Sequence, residues 1–464
     1  MSAMIHCGTD GWRARLDGDF TEENVIRVAD AAGRYWSKTA PGAVVHVGYD
    51  TRPGAERFAL AASHALSGYG LTVKVSDRFV PTPALSWAIA HDPCSCGGVM
   101  ITGSHNPQEY LGVKLRVSDG TIGTDELYDK IEDLIPISPE RRSGEIQRED
   151  MASPYLNSLI GLVDAQKISD ARLKVVYDPM YGSASGYGSD ALLRCGVETA
   201  EIHSAGKGVR DDIHPEPIEP WVDECEDAVV RYGACCGLIN DGDGDRVGAV
   251  DEDGRFVSQQ KIIALILGHL AVDRGMSGRV VLNLASSVLV RRVAKQLGFR
   301  VTIKPIGFTH IYTEMQKGNV LIAGEEAGGI AVPDLAPERD GLLMNLLLCE
   351  LMAQSGKSLG NLVAGLEREC GKHYYARRDL RLQTEVIETL RNLLPGLNPS
   401  VVAGMRPVAV SHMDGMRLEF EDESWLLLRP SGTEPLVRVY AEAPTVEERD
   451  ALLDAGCEIA RNGI

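Results

Sequence analysis

The 464-residue chain contains no uninterrupted apolar run approaching membrane-spanning length, so no transmembrane helix is expected. Its first residues, "MSAMIHCGTDGWRA", lack a basic start followed by an apolar core, which argues against a secretory leader and for a cytoplasmic protein. Positive charge is scarce: 47 Lys and Arg face 66 Asp and Glu, leaving a formal net charge of -19. Such a surface repels nucleic acid and anionic membranes, so neither is an expected partner. Any phosphate-bearing ligand must instead be gathered by a local group of cations or a metal. The ten cysteines fall as Cys94-x-Cys96, the adjacent Cys235-Cys236 and six singletons, with no paired C-x-x-C spacing. Reduced thiols are expected, not zinc or disulfides.

What is present is an ordinary globular composition, 44% apolar and 24% charged, in a chain too long for one core. Short β-branched runs alternate with amphipathic stretches through most of the chain, the pattern of sheets covered by helices. "AVVHVGYDTRP" reads as a strand into a loop, "ERFALAASHALSGYG" as a helix, "LTVKVSD" and "CGGVMITGSHNP" as further strands. These fall in a first α/β unit, residues 1–150. A second, residues 151–254, follows a polar, proline-bearing stretch and holds "LKVVYDPMYGSAS" and "CGLINDGDGDRVGAVDEDG". A third, residues 255–370, opens on the apolar helix "QKIIALILGHLAVDRG" and continues through "GRVVLNLASS", "RVTIKPIG" and "NVLIAGEEAGG". From residue 371 to 464 the character changes to hairpins and flanking helices, a smaller α+β domain. The expected fold class is therefore α/β: three tandem similar domains with mixed sheets and a smaller C-terminal α+β domain around a central cleft.

Five loops carry chemistry. "ITGSHNP" ends an expected buried strand on Gly103, Ser104 and His105 before Pro107 stops ladder pairing, which makes Ser104 a candidate nucleophile or modification site. The same residue types also suit an ordinary strand-to-helix turn. "NDGDGDRVGAVD" sets Asp241, Asp243 and Asp245 at alternate positions with glycines between them and Arg246 beside them. Alternation points the three carboxylates to one side, and hard anionic oxygens crowded together favour Mg²⁺. A calcium loop does not fit: position twelve is Glu252, but position six, which must be glycine, is Arg246. "GEEAGG" places Glu325 and Glu326 at a strand end, where they could meet sugar hydroxyls or form a solvated corner. "RPSGTEPLVRVY" offers Arg429, Ser431, Thr433 and Arg438 around Gly432, a set suited to a phosphate dianion. "GTDGWRA" supplies Arg13, and Lys114 lies ten residues beyond Ser104 in "LGVKL".

In this order, "GTDGWRA", "TGSHNP", "DGDGDR", "GEEAGG" and "RPSGTEP" resemble the α-D-phosphohexomutase family of phosphoglucomutases, phosphomannomutases and phosphoglucosamine mutases. The resemblance spans Gly8 to Arg438. It implies that Ser104 carries a phosphoryl group and that Asp241, Asp243 and Asp245 hold Mg²⁺ together with one phosphoserine oxygen. Arg13, His105, Lys114 and Arg246 are then the catalytic groups around the phosphoserine. Gly307 and His310 of "PIGFTHIY", with Glu325 and Ala327, read the sugar, and Arg429, Ser431, Gly432, Thr433 and Arg438 clamp the distal phosphate. The implied reaction interconverts hexose 1-phosphate and hexose 6-phosphate, of glucose or mannose, through a hexose 1,6-bisphosphate that also serves as activator. The expected partner is the phosphosugar alone, bound to a monomer or homodimer.

Two departures from the family pattern bear on the substrate. The sugar loop usually reads G-E-x-S-G, whereas Ala327 here lacks the hydroxyl. A G-F-K segment is replaced by Gly307, Phe308 and Thr309, with His310 following. The alternatives these leave are a phosphoglucosamine mutase, although Glu326 stands where that group commonly has glutamine, and a related sugar-phosphate binding protein with little turnover.

Overall fold

In the computed structural model the described residues are 5–8, 10–206, 214–431 and 436–462. The β-branched runs do form strands, grouped into four sheets. The first has the strand order Trp12–Arg15, Tyr110–Val117, Ser95–Ile101, Val44–Tyr49, Thr72–Ser76, Ile146–Glu149. Its inner strands run parallel, and Tyr110–Val117 runs antiparallel to Ser95–Ile101. "ITGSHNP" is thus a strand-to-strand turn and not a strand-to-helix turn, because the apolar alternation of "YLGVKLRV" lets the chain fold straight back onto the sheet.

The second sheet is ordered Phe256–Val257, Val247–Val250, Cys236–Asn240, Lys174–Asp178, Glu198–Glu201. Phe256–Val257 pairs with Val247–Val250, so the second sheet runs past residue 254, where the sequence suggests a break. The third is ordered Val301–Lys304, Arg279–Asn283, Val320–Gly324, Ile330–Ala331. The fourth, Tyr374–Arg381, Leu436–Ala443, Trp425–Pro430, Met416–Glu419, Ala409–Ser411, is antiparallel throughout. Three mixed α/β units and a hairpin-built α+β unit are therefore observed.

The cores are less separate than the sheets. The first and fourth units each bury an apolar cluster of their own, but the second and third share one, to which the first unit adds Val80, Leu85, Ile89 and Met100. The helix Gly341–Ser355 explains this: "GLLMNLLLCELMAQS" is apolar on every side, and a helix of that kind must be covered all round. Asp340 caps it, accepting from Leu343 N at 2.9 Å, and Asn345 donates to Asn240 at 2.7 Å, joining the helix to the strand that precedes the aspartate loop. The fourth unit packs Trp425, Leu427 and Tyr440 onto Leu284, Ala285 and Val288 of the third. Among the described residues no helix is long and apolar enough to cross a membrane.

Candidate active site

The serine loop is wired from beneath by two residues of "GYDTRP". Asp50 accepts from Thr102 Oγ1 at 2.7 Å and from Gly103 N at 3.0 Å. Arg52 donates to the carbonyl oxygens of Ser104 (2.7 Å), Asn106 (2.6 Å), Pro107 (2.6 Å) and Tyr110 (2.9 Å). So many bonds from one guanidinium fix a loop that has no ladder of its own. Gly103 has to be glycine, since a Cβ there would lie 2.6 Å from Arg52 Nε. Under these constraints Ser104 takes φ 49°, a left-handed conformation rare for a residue with a Cβ, and is 2% exposed.

Its hydroxyl donates to Asp241 Oδ2 at 3.1 Å and lies 3.5 Å from His105 Nδ1. Asp241, Asp243 and Asp245 follow the strand Cys236–Asn240, and their carboxylates gather within 4.8 Å of one another, all buried. The turn is possible because Gly244 adopts φ 75° and because a Cβ on Gly242 would collide with the Ser104 carbonyl. Burial, reinforced by the charges of Asp243 and Asp245, pushes the Asp241 carboxyl well up. Burial would also raise Asp243, but the Lys114 charge and hydrogen bond hold it below the ordinary range. Asp243 Oδ1 and Asp245 Oδ1 are buried without a hydrogen-bond partner. Three hard oxygens with such a deficit fit a hard divalent cation.

Lys114, on Tyr110–Val117, is fully buried and faces three carboxylates: Asp243 at 2.7 Å, Asp10 at 3.0 Å and Asp245 at 3.3 Å. Burial opposes its charge, yet Asp10, Asp243 and Asp245 raise its pKa, so it stays protonated. Asp10 is the hub. Arg13 donates to its carbonyl oxygen at 2.8 Å, Arg116 lies 3.6 Å from its carboxylate and Arg339 3.5 Å. Burial notwithstanding, those cations and Lys114 hold Asp10 far below the usual carboxylate range. His105 goes the other way: burial, then Arg246, Arg13 and Arg438, push its imidazole well below the ordinary value. Arg246 N donates to Asp241 Oδ1 at 3.0 Å.

From the third unit, Gly307 at φ 125° donates its N–H to Glu325 Oε1 at 3.1 Å. Burial and then the neighbouring Glu326 push Glu325 up to about 7, although Arg339 opposes this. Glu326 is turned away, hydrogen-bonded by Asn283. Ala327 sits half-buried at the tip of the same turn, and His310 lies half-buried in the first turn of the helix Phe308–Met315. Thr309 is buried. The cation set against Glu325 comes from elsewhere: Arg339 lies 3.8 Å from Glu325 and 3.0 Å from Asp245, over the Phe308 ring at 4.6 Å. Sequence reading missed Arg339 and the Asp50–Arg52 pair. The N-cap signal of Asp340 before an apolar run was available for the first, and Asp-x-Arg at a strand end for the second.

In the fourth unit Arg429 and Arg438 stand opposite each other on adjacent strands. Arg429 donates to Asp414 at 2.8 Å, and Asp414 also accepts from Ile306 N at 3.0 Å, tying the pair to the third unit. Ser431 is buried, and its N–H donates to Leu436 O at 2.9 Å. Gly432 and Thr433 lie outside the described residues. Ser104, Lys114 and the three aspartates thus form one buried cluster, flanked by the half-buried His105 and Arg246, with Arg13 on its Asp10 side. Glu325 reaches that cluster through Arg339.

Comparison with known proteins agrees along the whole chain. The phosphoglucomutase/phosphomannomutase family matches as alpha/beta/alpha domain I over residues 4–141, domain II over 153–254, domain III over 258–369 and the C-terminal domain over 402–458. This chain belongs to that family. It is an enzyme, an intramolecular phosphotransferase of the isomerase class. It is 30% identical to a phosphoglucomutase/phosphomannomutase of Thermococcus kodakarensis, covering 98% of each chain. A phosphoglucosamine mutase of Salinispora arenicola is 32% identical, with 94% of each chain covered. A crystal structure assigned as a phosphomannomutase from Thermus thermophilus superposes with TM-score 0.88 at 33% identity over 99% of each chain.

Proposed function

We propose that the protein interconverts hexose 1-phosphate and hexose 6-phosphate, of glucose or mannose, with Ser104 as the phosphoryl carrier. The observation that carries this is Ser104 Oγ, held in a left-handed turn 3.1 Å from the buried aspartate cluster. In the forward half, the Oγ–P bond of phosphoserine breaks as the free sugar hydroxyl forms a bond to the same phosphorus, giving a hexose 1,6-bisphosphate. The hydroxyl proton passes to His105, which its surroundings keep neutral. After the bisphosphate turns around, its other phosphoryl group returns to Ser104 Oγ and the departing sugar oxygen recovers a proton.

Lys114 keeps a positive charge beside the transferring group, and Arg13 and Arg246 add theirs from either flank. Asp241, Asp243 and Asp245 would hold a Mg²⁺, which would supply further neutralisation of that charge. Glu325 and Gly307 orient the sugar. Arg429, Ser431 and Arg438, with Gly432 and Thr433, hold the phosphate that is not reacting. A catalytic amount of hexose 1,6-bisphosphate restores phosphoserine whenever it is lost.

A coupled assay with glucose 1-phosphate, mannose 1-phosphate and glucosamine 1-phosphate, primed with glucose 1,6-bisphosphate, tests the reading. Turnover of the first or second is expected. The second reading, phosphoglucosamine mutase, is favoured by relatives of that name at 28–32% identity over nearly the whole chain. Preference for glucosamine 1-phosphate would select it.

A further inference from the structure

The segment from His214 to Ile218 passes beside the serine and aspartate loops, and none of the roles above uses it. Pro215 O accepts from Gly242 N at 3.3 Å, and the His214 ring lies 6.4 Å from that of His105. Between them and the fourth unit stands Glu216, 4% exposed. Its Oε1 is 3.3 Å from Arg246 Nη1 and 3.6 Å from Arg377 Nη1. Burial alone would neutralise this carboxyl, but the charges of Arg377 and Arg246 keep its pKa below the ordinary value, so it is an anion.

The two arginines come from different units. Arg246 closes the aspartate loop, and Arg377 lies on Tyr374–Arg381. Arg377 stands opposite Tyr440, two residues from Arg438 on the same strand, and Arg438 stands opposite Arg429. Residues opposite each other or two apart share a face, so Arg377, Arg438 and Arg429 line one face of the fourth sheet. Arg377 therefore extends the phosphate clamp toward the reaction centre. A carboxylate needed only to fix Arg246 would require one partner. One that sits between two guanidinium groups across a cleft occupies the position that suits an oxyanion of the substrate.

We infer that Glu216 is a built-in competitor for the phosphate-binding arginines: a phosphosugar phosphate takes Arg246 and Arg377 only by displacing it. The identity of the ligand as a phosphosugar rests on the proposed mutase reaction. The competition does not. Its consequence for that reaction is a weaker ground-state hold on the phosphate at this pair, which lets a bisphosphate leave these arginines and turn around.

Calorimetric titration of the full-length protein with inorganic phosphate tests this. Glu216→Gln is expected to tighten the phosphate Kd roughly five- to tenfold and to lower KM for glucose 1-phosphate without raising kcat. Arg377→Gln is expected to weaken the phosphate Kd by a similar factor. An unchanged or weaker Kd in Glu216→Gln, with kcat reduced, would assign Glu216 to holding Arg246 and overturn the inference. If that variant does not fold, an unchanged Kd in Arg377→Gln overturns it equally. Tighter phosphate binding in a protein without mutase turnover would refute the proposed reaction and keep the competitor. Active mutase with unaltered phosphate affinity would do the reverse.

Discussion

At the scale of single residues, the site depends on groups whose neighbours decide their chemistry. Ser104→Ala removes the hydroxyl proposed to carry the phosphoryl group while leaving the loop's bonds to Asp50 and Arg52 in place. Turnover should fall by more than about a thousandfold with an unchanged melting temperature. Activity within tenfold of wild type would refute the carrier role. Gly103→Ala acts differently, since its methyl meets the fixed Arg52 guanidinium. We expect roughly 1–3 kcal/mol of destabilisation in urea titrations, together with lost turnover.

A further residue-scale effect lies away from the cleft. His203 is hydrogen-bonded to Asp178 and Glu224, each at 2.9 Å. Burial would lower its pKa, but the Asp178 bond and charge, followed by those of Glu224, raise it to about 9. The folded protein therefore binds this proton more tightly than the unfolded chain does. The resulting stability is complete below about pH 6.5 and is lost as pH rises through about 9. With Glu224 partly in solvent, about 2 kcal/mol is at stake. The melting-temperature gap between wild type and His203→Gln should close between those pH values, and a constant gap would contradict the pairing.

At the scale of elements, each loop is set by the strand or helix that delivers it. The hairpin Cys236–Asn240 to Val247–Val250 brings the aspartates together, and Lys114 meets them because Tyr110–Val117 returns antiparallel. If the aspartates hold Mg²⁺ as proposed, Asp243→Asn removes one anionic ligand from a hard cation, so the Mg²⁺ concentration for half-maximal activity should rise at least about tenfold. EDTA-insensitive turnover in the wild type would count against a metal role altogether. In the fourth unit, Arg429→Ala removes a charge-assisted fork from paired strands. KM for the monophosphate should rise by roughly 2 kcal/mol in binding terms, while phosphorylation of Ser104 by a bisphosphate changes less. An unchanged KM with collapsed phosphorylation would place Arg429 at the donor end instead.

For the whole molecule, what matters is how four units hold one cleft. The second and third units share a core through the helix Gly341–Ser355, so separating them would expose its apolar surface. The fourth is docked on the third by Glu442, which is 1% exposed and accepts from Trp425 Nε1 at 2.7 Å, Val288 N at 3.0 Å and the Ser287 hydroxyl. Asp414, accepting from Ile306 N, and Arg291, 3.3 Å from Glu419, add ties to the third unit, and the Glu216–Arg377 pair links the fourth unit to the second. Glu442→Ala would strand buried donors on both sides of the interface, costing about 3 kcal/mol. Faster hydrogen exchange at Trp425 and Val288, with the first unit unaffected, is the expected signature. Uniform exchange across all units would mean that the fourth unit is held elsewhere.

The sequence by itself determined the α/β character, the change to hairpins in the last unit and which residue types each loop offers, because those are written in local periodicity and in residue types at short spacing. The alternate spacing of the aspartates at 241, 243 and 245 put them on one side of an extended segment, and the turn at Gly244 is what brings them together. "TGSHNP" could still be read as a turn into a helix, since the alternation of the following strand was outweighed by its turn residues. The resemblance implied that the serine and aspartate loops meet; only the tertiary structure decided which further charges join them. It set Asp10 among Lys114, Arg13, Arg116 and Arg339, and gave Glu325 a cation from a loop beyond the third sheet. It also placed Glu216 between two units and fused two cores around one helix. The physical reason is that local patterns say which face of an element is apolar, whereas the pairing of charges far apart in sequence is settled by which faces pack together.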